Sequence, residues 1–102
     1  MMEDIQATFR HRFTTTARQR VAFAMDAATR ADYARGQLAV RELHSLAGEA
    51  GLLGFSQFVP VAREGEDLAK RMCSERTPAS AEAMIATLRE LERLIDELSA
   101  SA

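Results

Sequence analysis

From Ile5 to Ala28 the residues Ile5, Phe9, Phe13, Ala17, Val21, Met25 and Ala28 recur every three or four positions, the spacing of one helix face. The β-branched run Thr14-Thr15-Thr16 favours a cap or a bend, so this segment is expected as two helices in sequence. The pattern lapses around Thr29 to Asp32, where Asp32 is placed to cap a second helix. In that helix Leu43, Leu46, Ala50 and Leu53 form the apolar stripe. After Gly54 a further helix carries Phe58, Val61, Ala62, Leu68, Ala69 and Met72, with Pro60 disturbing its first turn. A break at Ser74 to Pro78 follows, with Thr77 as the expected cap and Pro78 at the first helical position. The last helix steps through Met84, Leu88, Leu91, Ile95 and Leu98 and fills its other face with Arg89, Glu90, Glu92 and Arg93. Met25, Met72 and Met84 fall among the core positions, and Phe23, off the main stripe, is read as a second-side core contact. No alternating run suggests a strand. Short connections make sequential helices antiparallel, which predicts an all-α, up-down antiparallel four-helix bundle.

Composition narrows the classes without changing that picture. The 102 residues fit one domain, 1–102, and 47% hydrophobic with 27% charged residues describes a soluble globular chain. A net charge of -2, with basic residues scattered, gives no nucleic-acid footprint. No apolar run approaches the ~20 residues of a membrane span, and no signal peptide is expected to precede the domain. Cys73 is the sole cysteine, which excludes a disulfide framework and points to a reducing compartment, the cytoplasm by default. His11, His44 and Cys73 lack ligand spacing, so no metal site is expected. No phosphate-binding loop or Ser/His/Asp order appears, which argues against autonomous kinase activity.

The stretch "ELHSLAGEAGLLGF", Glu42 to Phe55, is the chemically distinctive one. Gly48 and Gly51 each cost about 1 kcal/mol relative to alanine inside a helix and so require a reason. At about 100° per residue, His44 stands at the edge of the apolar stripe and shares its face with Arg41, Ala47, Gly48 and Gly51. Spacing alone leaves two readings: a surface histidine in an Ala/Gly-rich helix, or a ring with a cleared landing surface beside it.

"HSLAGEAGLLGF" resembles the signature of histidine-containing phosphotransfer (HPt) domains, a histidine followed by Leu, Lys, Gly and small residues up to a Leu-Gly or Phe-Gly step. The match is carried by His44, Leu46, Gly48, Gly51 and Gly54, with Phe55 expected to open the next helix. The resemblance implies a helical bundle with an additional N-terminal helix, and phosphoryl transfer through an imidazole nitrogen of His44. Partners would be response-regulator receiver domains, a sensor histidine kinase, or both. The chain itself would need no cofactor, because the receiver brings Mg2+ and the acidic pocket. It would be a phosphocarrier, not an enzyme, and a monomer with no nucleic-acid or membrane partner. Arg41, Ala47, Gly48 and Gly51 would form the receiver-docking face.

One position departs from the family. The usual lysine three residues after the histidine is Ala47 here, and Arg41, one turn before His44, is the nearest substitute on that face; a solvated surface arginine is its plain alternative. In kinase-borne relatives a glutamate on the following helix accepts a hydrogen bond from the reactive histidine. Counting from the Gly54-Phe55 step places that residue at Glu66, although the run Glu64-Gly65-Glu66-Asp67 also reads as a solvated face. Two other classes stay open: the phosphorylated N-terminal domain of a chemotaxis-type histidine kinase, and a non-catalytic receiver-binding module whose glycines only let helices pack.

Overall fold

The computed structural model describes residues 2–101. They form four helices: α1 (Met2–Thr29), α2 (Tyr33–Leu53), α3 (Phe58–Glu75) and α4 (Pro78–Ala100). α1 is one helix, not two. The hydroxyls of Thr14 and Thr15 both donate to the His11 carbonyl, so the threonine run satisfies its polar groups along the helix instead of breaking it. No separate leading helix exists among the described residues.

The boundaries follow local chemistry. Asp32 caps α2 by accepting from the Arg35 amide, and Thr77 caps α4 in a reciprocal box with Ser80, with Pro78 in the first turn. α2 ends at Gly54, whose left-handed backbone (φ 82°) returns the chain toward α3. Arg76 closes α3 in the same conformation without being glycine. α3 begins at Phe58, three residues later than Phe55, because Phe55 lies in the connection and packs its ring on Phe13, 4.9 Å between centroids.

Each helix packs on its sequence neighbours, and α4 closes back onto α1. Along α1 and α2, Asp26 pairs with Arg35 while Arg20 reaches Glu42 and Glu49, so these helices run in opposite directions. Along α2 and α3, Gly36 lies against Cys73, Leu43 against Gly65, and Gly51 against Val59, which is again antiparallel. The core holds Phe13, Val21, Leu43, Leu46, Phe58, Met72, Met84, Leu88, Leu91 and Ile95.

Ile5 and Phe9 are exposed, against the stripe. At about 1.5 Å per residue α1 is some 10 Å longer than α2, and its N-terminal turns overhang the bundle, which measures 49 × 20 × 18 Å. Leu53 is also partly exposed; it sits at the last turn of α2, in a shallow depression with Phe9 and Phe55. Met25 and Phe23 are half-buried, while Met72 and Met84 are fully buried.

Candidate functional site

Two glycines set how closely α3 approaches α2. A β-carbon at Gly65 would lie 3.4 Å from Leu43 Cδ1 and 3.7 Å from Thr87 Cγ2; at Gly36 it would lie 2.8 Å from both Cys73 Sγ and Met72 Cε. Leu43 therefore packs directly onto the α3 backbone. The next residue on each helix, His44 on α2 and Glu66 on α3, then meet at the rim of that contact.

His44 Nδ1 lies 3.1 Å from Glu66 Oε1. The His44 side chain is 78% exposed, whereas that of Glu66 is only 15% exposed. The second carboxylate oxygen, Oε2, lies 3.2 Å from Lys70 Nζ, one turn further along α3. Burial pushes the Glu66 carboxyl upward, but hydrogen bonds from Lys70 and His44, with the charges of both, outweigh it and hold the group below its ordinary value of 4.5. Glu66 is thus an ionised acceptor near neutrality. An ionised carboxylate only accepts, so the Nδ1 facing it is the donor, and in the neutral ring the lone pair then lies on Nε2.

The expected site residues separate into three groups. His44 and Glu66 are in contact. Arg41, Gly48 and Gly51 are exposed on α2. A β-carbon at Gly48 would meet nothing within 4 Å, so this glycine is not there for helix packing; Gly51 is near Val59 Cγ2 at 3.9 Å. Ala47 departs from the expected face, being 7% exposed and part of the core. The reason is helical register: it follows Leu43 by four residues and precedes Ala50 by three, both buried. Arg41 makes no ion pair among the described residues.

Two features of the surroundings escaped the sequence reading. Lys70 was signalled by its spacing, four residues after a glutamate in the favourable order. Leu52 is 89% exposed, one turn beyond Gly48, and nothing in the apolar pattern marked it apart from Leu53. No cluster of three or more His, Cys, Asp or Glu among the described residues has the arrangement of a metal site. No described helix is long and apolar enough to cross a membrane.

A search of curated proteins and a search of solved structures each gave no match. The family model for the Hpt domain matches residues 8–101, nearly the whole chain, from the second turn of α1 to just past the end of α4. With the motif around His44 lying wholly inside that span, the chain belongs to the Hpt domain family.

Proposed function

We propose that this chain relays phosphoryl groups between receiver-domain aspartates in a two-component phosphorelay, with Nε2 of His44 as the acceptor and donor atom. The observation that carries this is the His44–Glu66 pair: an exposed ring whose Nδ1 meets a partly shielded carboxylate. Hpt domains are histidine phosphotransfer modules of phosphorelays, and family membership supports the same chemistry here.

In the accepting step the Nε2 lone pair forms the N–P bond while the P–O bond to the donor aspartate breaks, its electron pair returning to that carboxylate. Nδ1 keeps its proton, so the ring becomes a phospho-imidazolium. Glu66, 3.1 Å from Nδ1, stabilises that positive charge. Transfer onward reverses the sequence, with the ring leaving as neutral imidazole. Phosphoryl transfer depends on positioning and charge neutralisation, so the bundle contributes a fixed, accessible ring, and the receiver contributes Mg2+ and the acidic pocket. Docking would use the exposed part of α2 around Arg41, Gly48 and Gly51. The bundle is taken as up-down throughout, monomeric, cytoplasmic, and without kinase activity of its own.

Incubation with a phosphorylated receiver domain and Mg2+ tests this directly. An acid-labile, base-stable label confined to the peptide containing His44 is expected; no transfer to this chain would overturn the proposal. The Glu66 contact favours one second reading, that the domain is the phosphoacceptor portion of a chemotaxis-type histidine kinase. Labelling of His44 by an isolated kinase catalytic domain with ATP, faster than by any receiver, would favour that reading.

A further inference from the structure

We propose that Lys70 is a positioning residue for His44, acting through Glu66. This rests on the phosphoacceptor role proposed above for His44. Glu66 has two oxygens with different neighbours: Oε1 faces Nδ1 of His44 on α2, and Oε2 faces Nζ of Lys70 on α3, at 3.1 and 3.2 Å. The terminal torsion of a glutamate is broad and roughly two-fold, so one hydrogen bond leaves the carboxylate free to rock or to exchange its oxygens. Two donors on different helices remove that freedom. The Glu66 side chain is only 15% exposed, so loss of Lys70 removes the one charged partner of Oε2 among the described residues, at a partly shielded position.

The charge of Lys70 acts in the same sense. It works against the burial that raises the proton affinity of the carboxyl, in the same direction as His44, and so favours the ionised, accepting form of Glu66. Among the described residues, the charged or titratable groups in ion-pair contact with Glu66 are His44 from α2 and Lys70 from its own helix. Lys70 never needs to touch the phosphoryl group; the atom it governs is Nδ1, two contacts away, and through it the availability of Nε2.

The test compares Lys70→Met, which keeps the aliphatic stem, with Lys70→Arg, which keeps the charge. Three quantities are read: the ring 15N shifts of neutral His44, the titration of the Glu66 side-chain carbonyl carbon, and the rate of labelling by a phosphorylated receiver domain. In Lys70→Met we expect a measurable Nε2–H tautomer, a Glu66 midpoint above that of the wild type, and labelling slowed about twofold to fivefold, the range for loss of a partly exposed ion pair. Lys70→Arg should restore all three. An unchanged tautomer and Glu66 midpoint in Lys70→Met would overturn the proposal, whatever happens to thermal stability, because a pair that only supports the surface of α3 moves neither. If wild-type His44 takes no label, the phosphoacceptor role falls, while the tautomer and the Glu66 midpoint still decide the role of Lys70.

Discussion

At the scale of single residues, the proposed site is a chain of three groups in contact, His44, Glu66 and Lys70. His44→Gln should leave the bundle folded, because the side chain is mostly solvent-exposed and packs little, yet abolish labelling. Circular dichroism and phosphotransfer on the same sample check both halves; retained labelling would move the site to His11, the other histidine. Glu66→Gln should slow labelling on the order of tenfold, the usual cost of losing an orienting partner. It should also flatten the acid limb of stability. The Glu66 carboxyl titrates below 4.5 in the folded protein, so the unfolded chain takes up its proton first as pH falls. The stability this creates is complete above 4.5 and is lost as pH drops through the folded value. Denaturation at stepped pH below 4.5 should show a shallower loss in the variant than in the wild type; coincident limbs would mean the carboxylate gains nothing from its partners. The contact between His44 and Glu66 was legible in the sequence because one sits in a motif and the other at a fixed count from it. Lys70 was not, since an i,i+4 Glu-Lys pair reads as ordinary surface until the opposite helix is in place.

At the scale of elements, the glycines divide by what a side chain would meet. Gly48→Leu should stabilise α2 by about 0.5–1 kcal/mol, since it fills open space and leaves a poor helix former behind, while blocking receiver docking one turn from the ring. Thermal melts and a receiver-binding titration separate the two effects. Gly36→Ala has the opposite sign. Its β-carbon would fall 2.8 Å from the fully buried Met72 and from Cys73, and overpacking of about 1–3 kcal/mol exceeds the helix gain. A net loss near 1 kcal/mol in urea denaturation is expected; wild-type stability would show that Met72 has room to move. Capping chemistry made the starts of α2 and α4 readable, because Asp32 and Thr77-Pro78 act within a few residues. The threonine run misled, because a hydroxyl that satisfies itself against the preceding turn is compatible with a continuous helix. Phe55 misled for another reason. Its ring is held by Phe13, 42 residues away, and no local signal records such a contact.

At the scale of the whole molecule, helical periodicity and the absence of alternation were enough for the all-helical class. The length mismatch between helices was not visible, since the apolar spacing of α1 continues through Ile5 and Phe9 past the point where α2 ends. That overhang predicts tolerance to truncation. Removal of residues 1–8 leaves every buried position among the described residues of α1 in place, the first being Phe13, and should cost about 0.5 kcal/mol, as for other surface changes. Thermal melting of the shortened chain checks this; a loss large enough to unfold it would mean the first turns are part of the core. The close α2–α3 contact, made possible at Gly36 and Gly65, brings an exposed imidazole to a partly shielded carboxylate.

The most direct measurement is heteronuclear 31P and 15N NMR of the chain after phosphorylation by a receiver domain. A phosphorus coupled to Nε2 of His44, with the proton retained on Nδ1 beside Glu66, is the predicted result. Phosphorus on Nδ1 of His44, on His11, or on no imidazole would contradict it.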